Sequence, residues 1–386
     1  MNNFPLYFDY AATTPVDERV IQAMVQCLGA SGNFGNPASG SHHYGQQARM
    51  AVEQARAQVA GLVGADVRQI IWTSGATESN NLALKGLARG RQGGHIITSQ
   101  IEHKAVLDTV SHLERDGFEV TRLAPDAQGL ISAQALAAAF RPDTFLVSLM
   151  LVNNELGTVN DVATLGALVR RHGALLHVDA AQGAGKLGID LGRWPVDLMS
   201  FSAHKVYGPK GIGALYVGDR ARPQLQAQIH GGGHEGGLRS GTLATHQIVG
   251  MGAAFALAGE LQGEEVQRIG QLHRLLLERL GDIPGLVLNG SASQRIEHTL
   301  SLTFSAESPD LASLAADLAF SSTSACNSAS SQPSHVLLAL GLSAQAARQT
   351  IRLSLGRYTQ VQDVEQAAGA IKAALQSRPF WTVAGD

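Results

Sequence analysis

Only two cysteines occur in 386 residues, too few for a disulfide framework, and at positions 27 and 326 they offer no metal-ligand spacing. No run of about 18 apolar residues is present to span a bilayer. The N-terminal MNNFPLYFDYAATTP also lacks a basic stretch followed by an apolar core. A cytoplasmic protein with no membrane partner is expected. Charge is scarce as well: charged residues make up 16%, the net charge is −3 and the pI about 6.5. No global basic field therefore calls for nucleic acid or an anionic surface. What is plentiful is apolar residues, at 45%, and glycine, with 43, a composition that fits a compact α/β enzyme with many tight turns. The length suits one large domain and a smaller one.

From about residue 60 to 220, short apolar runs alternate with helical patterns. QIIWTS, HIITSQ, FEVTRL, TFLVSLMLVN, ALLHVDA, DLMSFS and GIGALYV read as strands of a mainly parallel sheet covered on both faces. Ligands of such sheets bind beyond the carboxyl ends of the strands. After HGGGHEGGLRSGT a long helical pattern runs from near His246 to about Leu280 and leads into an α+β region. There GLVLN, TLSLTF and TIRLSL are strands, and PDLASLAADLAF, SHVLLALG and VQDVEQAAGAIKAALQ are helices. The expected division is a large domain over 16–250 and a small one from 1–15 and 251–386. Cys27, in the helical pattern VIQAMVQCLG, reads as a packing residue. Cys326 stands instead in SSTSACNSASSQP, residues 321–333, whose small polar composition marks a mobile loop.

Polar residues follow several of the strands. In SFSAHKVYGPKGIGALYV, Lys205 is held at a strand end, where a pocket that lowers its pKa would let it form a Schiff base with a carbonyl; on this segment alone it reads equally as a surface lysine before a turn. Ser202 and His204 are phosphate donors or turn residues. Asp179, ending ALLHVDA, needs a partner such as a protonated pyridine nitrogen, unless it caps the next turn. In WTSGATESNN, the N–H groups of Gly75, Ala76 and Thr77 converge on one anion at a helix start, or simply cap it. The turn lacks the lysine of a P-loop, which disfavours an ATPase. His103, also at a helix start, is a candidate proton carrier or a structural residue. His230 and His234, in HGGGHEGG, are separated by three glycines and present no rigid pair to a metal, so none is expected.

Taken together, SFSAHKVYGPKGIGALYV, HVDAAQ, SGATESNN, EHKAV, NNELG, HGGGHE, RSGT, SSTSAC and TIRLSLGRY resemble, in order and over nearly the whole chain, the motifs of the pyridoxal-phosphate cysteine desulfurases of the class V aminotransferase group. The long cysteine segment is similar to the housekeeping branch, group I. The resemblance implies fold type I, a large domain with a mainly parallel sheet plus a smaller α+β domain, and pyridoxal 5'-phosphate as cofactor. It makes Lys205 the covalent attachment point, Asp179 the partner of the pyridinium nitrogen and His103 the stacked proton carrier. Gln182 would bond the phenolic oxygen and Asn154 would lie near ring and substrate. Ala76, Thr77, Ser202 and His204 would hold the phosphate, with Thr242 completing it from the other subunit of a homodimer. Arg352 would grip the substrate carboxylate. Cys326 would take sulfur from L-cysteine as a persulfide, release L-alanine, and pass the sulfur to an acceptor protein, an iron-sulfur scaffold or a thiolation enzyme. Thr323 and Asn327 depart from the residues common in housekeeping members, and the chain ends at FWTVAGD, ahead of the tail that helps those members dock the scaffold. DNA sulfur modification is thus a further route for the sulfur. The competing readings are a selenocysteine lyase or aminotransferase of the same fold, a non-catalytic scaffold, and, more distantly, a nucleotide-binding protein.

Overall fold

The computed structural model describes residues 4–304, 309–322 and 332–376. The first part of the chain contains β1 (Leu6–Tyr7), α1 (Glu18–Val25), α2 (His43–Val63), β2 (Ile70–Thr73), α3 (Ala76–Ala88), β3 (His95–Ser99), α4 (Lys104–Arg115), β4 (Glu119–Leu123), α5 (Ala133–Ala139), β5 (Thr144–Met150), α6 (Val162–Arg171), β6 (Leu175–Asp179), β7 (Leu198–Ser202) and β8 (Gly213–Val217). The second contains α7 (Thr245–Leu280), β9 (Leu286–Leu288), β10 (Thr299–Phe304), α8 (Leu311–Asp317), β11 (Leu318–Ala319), β12 (Ser321–Ser322), α9 (His335–Ala339), α10 (Ala344–Arg348), β13 (Thr350–Ser354) and α11 (Val361–Gln376).

Seven strands form the central sheet in the order β2-β8-β7-β6-β5-β3-β4. Pairing is parallel from β7 to β4, and β8 runs antiparallel to both of its neighbours. All but the edge strand β4 are buried along their whole length, which is why they read as continuous apolar runs instead of alternating ones. The β5–β6–β7 register sets Met150 beside Asp179 and Asp179 beside Ser200, so the carboxyl ends of these strands lie along one edge of the sheet.

A second sheet, β12-β13-β10-β9, has its own core around Phe8, Leu300, Leu302, Ile351, Leu353 and Val364. The long helix α7 serves both cores: Ile248, Met251 and Phe255 pack under the large sheet, and Ile269, Leu272 and Leu276 pack in the smaller one. Its first half lies close against α2 because Gly252 has no side chain; a Cβ there would come within 2.6 Å of the Ala55 Cβ.

PDLASLAADLAF is not one helix. The helix ends at Asp317 and the chain extends as β11, pairing in parallel with β1, Leu6 against Leu318. Leu318 is fully buried in the small core, and this tie to the N-terminal strand outweighs the local helical pattern. Cys27, two residues beyond α1, is buried as expected. No helix among the described residues is long and apolar enough to cross a membrane.

Candidate active site

Strand ends, the N-terminus of α3 and the segment after β1 enclose a cavity of about 600 Å³. Eleven of the residues singled out in the sequence line it: Gly75, Ala76, Thr77, His103, Asn154, Asp179, Gln182, Ser202, His204, Lys205 and Arg352. At one end, Gly75 takes φ 154°, a conformation open to glycine, and turns β2 straight into α3. It caps that helix with no side-chain bond. The first N–H groups of α3 therefore have no acceptor within the helix and face the cavity with the positive end of its dipole. Ser202 and His204 border the same end, and burial together with Lys205 and Lys210 pushes the His204 pKa down to about 4.

Across the cavity, Asp179 is nearly inaccessible. Its Oδ1 accepts from the Ala181 N–H at 3.0 Å and its Oδ2 from Asn80 Nδ2 at 2.8 Å. Both donors are neutral, and the carboxylate makes no ion pair among the described residues. Behind it, His177 bridges Ser148 and Ser200, at 2.8 and 3.0 Å, and burial pulls its pKa down to about 4, so it adds no charge. Lys205 Nζ donates to the Ala11 carbonyl at 2.6 Å. Burial, reinforced by Arg352, brings its pKa down to about 8, which leaves a fraction of the amine free as a nucleophile near neutral pH.

His103 is the N-cap of α4, and its Nδ1 accepts from the Ala105 N–H at 3.1 Å. Because Nδ1 accepts, the ring's proton sits on Nε2, and burial lowers its pKa. Arg352 donates from Nη2 to Asp9 Oδ1 at 2.8 Å and Ser321 Oγ at 2.7 Å, and from Nη1 to the Asn154 carbonyl at 3.0 Å; its buried Nε finds no acceptor among the described residues. Thr242 is exposed and does not line the cavity of its own chain. Cys326, Thr323 and Asn327 lie outside the described residues. His234 Nδ1 accepts from the Gly241 N–H, and His230 lies 3.3 Å from Arg89.

The sequence reading missed Asn80, Ala11 and Asp9. Asn80 follows the glycine turn by five residues, on a face of α3 that only the packed sheet directs at Asp179. Ala11 acts through its backbone carbonyl and leaves no side-chain signal. Asp9 shows its role only once β13 brings Arg352 alongside.

A buried carboxylate with only neutral donors, an amine near its neutral form and an uncapped helix N-terminus around one cavity fit a flat, protonated nitrogen ring bearing a carbonyl and a phosphate. Pyridoxal 5'-phosphate is such a molecule, and it is the family's cofactor. The class-V aminotransferase family profile matches residues 6–367. A cysteine desulfurase IscS of Azotobacter vinelandii is 56% identical over 389 residues, covering 99% of this chain and 96% of that protein. Among solved structures, a NifS-like protein superposes with a TM-score of 0.89 at 35% identity, covering 97% of this chain and 100% of the other. SspA in complex with cysteine gives 0.80 at 43% identity, covering 92% and 99%. With that likeness along its whole length, and with the cavity built as the cofactor requires, the chain belongs to the class-V aminotransferase family, among its cysteine desulfurases.

Proposed function

We propose that the protein converts L-cysteine to L-alanine, with the substrate sulfur moving to Cys326 as a persulfide and onward to an acceptor protein in the cytoplasm. The sum balances without an oxidant: the C–S bond of cysteine breaks, an S–S bond forms at Cys326, and the substrate carbon gains a proton. When bound, pyridoxal phosphate supplies a carbonyl for the substrate amine and a ring that draws electrons from the substrate Cα. The chain's own residues do the rest. Lys205 would carry the covalent link. Asp179, held by Asn80 and Ala181, keeps the ring nitrogen protonated. The α3 N-terminus with Ala76 and Thr77, joined by Ser202 and His204, takes the phosphate. His103 would stack on the ring with a transferable proton at Nε2, while Gln182 would donate to the phenolic oxygen. Asn154 and Arg352 orient the substrate, Arg352 by its guanidinium to the carboxylate.

The observation that carries this reading is the convergence of Lys205, Asp179 and Arg352 on one cavity, with Arg352 bonded to Ser321 at the start of the segment that holds Cys326. Incubating the cofactor-loaded protein with L-cysteine, omitting reductant and mapping peptides by mass spectrometry, is expected to show one added sulfur on the Cys326 peptide and an equal yield of alanine. Turnover of cysteine that survives Cys326→Ala would move the assignment to a selenocysteine lyase or an aminotransferase.

The distinct core of the second sheet supports a division into a large and a small domain, proposed as 16–250 against 1–15 and 251–386; within α7 the packing changes over between Phe255, under the large sheet, and Ile269, in the small core. A homodimer is also part of the proposal. Val25, Leu28, Phe34, Tyr44 and Met50, all more than half exposed, fall within one stretch of the chain, a density of exposed apolar side chains that calls for a cover. A second copy would supply Thr242 to the phosphate. The acceptor is an iron-sulfur scaffold or a thiolation enzyme.

A further inference from the structure

Gln182 and Lys186 stand four residues apart on the helical turn after β6, and Lys186 Nζ donates to Gln182 Oε1 at 2.9 Å. The other half of the Gln182 amide is also engaged: Nε2 donates to the Ala11 carbonyl at 2.8 Å. These two bonds remove any ambiguity in how the amide points. A backbone carbonyl only accepts, so the nitrogen must face Ala11. An amine retains at least two N–H groups whether charged or neutral, so the oxygen can face Lys186 in either state. One amide N–H is then left over, on a side chain that lines the cavity.

The surroundings of Lys186 give its ammonium little else to do. Lys205 and Arg352 lie toward the cavity, and with burial they push its pKa down to about 7. Lys186 also borders a void of about 20 Å³ lined by Lys205, His298, Tyr207, Glu265 and Arg357. Glu265 is taken by Arg357, and burial holds His298 neutral with a pKa of about 3. No carboxylate pairs with Lys186 among the described residues.

We propose that Lys186 is a positioning residue that acts through Gln182: it pins the amide oxygen away from the cavity and so guarantees that Gln182 offers an N–H, never a carbonyl, to the phenolic oxygen of the cofactor. This rests on the reading above that places Gln182 at that oxygen. Without Lys186 only the bond to the Ala11 carbonyl holds the amide, and Lys205 Nζ shares that acceptor at 2.6 Å, so the orientation of the amide and its donor to the phenolic oxygen are held less firmly. An ionised oxygen deprived of its donor retains a shared proton more firmly, which raises the pH at which the bound cofactor gives that proton up.

The test is a pH titration of the visible absorbance of the holoenzyme, without substrate, for wild type, Gln182→Ala, Lys186→Met and the double variant. Gln182→Ala is expected to raise the midpoint by about one pH unit, as befits one hydrogen bond to a charged group. Lys186→Met should raise it by a comparable amount, and the double variant no further than Gln182→Ala alone. A Lys186→Met midpoint equal to wild type, beside a shifted Gln182→Ala, would overturn the role of Lys186 and leave that of Gln182 standing. A Lys186→Met shift that adds in full to that of Gln182→Ala would also overturn it, since the lysine would then act by its charge alone. An unshifted Gln182→Ala would instead sink the placement of Gln182, and the proposal with it. Should Lys186→Met fail to fold, Lys186→Arg, which keeps donors at that point, is expected to hold the wild-type midpoint; a shift as large as that of Gln182→Ala overturns the proposal.

Discussion

Individual side chains in this site are tuned by what surrounds them more than by their type. Lys205→Ala should leave a protein that binds the cofactor without a covalent link: after borohydride reduction, no peptide should carry the added cofactor mass, whereas the wild type carries it on Lys205. A labelled peptide at any other lysine would displace Lys205 from its role. Glu102, beside His103 in sequence, makes a prediction of a different kind. Its Oε1 accepts from Ser99 Oγ and the Met150 N–H while its buried Oε2 has no partner among the described residues, and burial raises its pKa to about 8. The folded state therefore binds a proton that the unfolded state releases between the ordinary carboxyl range and pH 8. Across that window the native state loses stability as pH rises, at a slope approaching ~1.4 kcal/mol per pH unit. Glu102→Gln, neutral at every pH, should escape this loss, so the Tm gap between the variant and wild type should widen from pH 5 to pH 8. A gap that stays constant would mean that Glu102 is ionised throughout.

Elements were legible in the sequence where burial is uniform and obscure where a distant partner decides. The fully buried strands declared themselves as apolar runs, and the glycine turn before α3 and the residues after β6 and β7 marked the site because strand ends are where such sheets bind ligands. β11 was hidden inside a helical pattern because its parallel partner, Leu6–Tyr7, is more than 300 residues away in the chain. Glu235 was hidden too. It sits in the glycine-rich HGGGHEGG at φ 54°, a strained value for a residue with a side chain, and its carboxylate bonds the Trp72 N–H at 2.8 Å and the Arg56 guanidinium at 2.7 and 2.9 Å. Arg56 in turn donates to the Ile70 carbonyl at 2.8 Å. The pair thus covers the outer edge of β2, whose N–H and C=O would otherwise stand open. Glu235→Ala would leave the buried Arg56 with only the half-exposed Glu53 carboxylate, 3.2 Å from its Nε, as an ion-pair partner, and is expected to cost about 3 kcal/mol in urea unfolding. A loss under ~1 kcal/mol, the scale of an exposed pair, would mean that water replaces the carboxylate.

At the scale of the whole molecule, Ser202 and His204 border the α3 N-terminus from the same chain, whereas Thr242, the further phosphate donor that the resemblance implies, is exposed. The segment carrying it is fastened to that same phosphate turn: Arg239 pairs with Glu78 at 2.8 Å, and Glu78 accepts from the Ser74 N–H at 2.7 Å. A loop anchored to one site and reaching outward can serve a second site only if another copy lies against it, and the apolar stretch from Val25 to Met50 offers the surface for that copy. Association and cofactor affinity should then fall together. Leu28→Asp combined with Met50→Glu places two charges on the exposed apolar stretch without touching the cavity, and is expected to yield monomers by sedimentation velocity. Those monomers should bind pyridoxal phosphate at least tenfold more weakly, the scale of one lost hydrogen bond to a charged group. Thr242→Ala should weaken the cofactor similarly while the protein stays dimeric. Mixed dimers of Thr242→Ala with Lys205→Ala then separate the two geometries. If Thr242 serves the partner's site, the site that keeps Lys205 receives its threonine from the Lys205→Ala chain, so the mixture recovers one intact site per dimer. If it serves its own, no site is intact and mixing restores nothing.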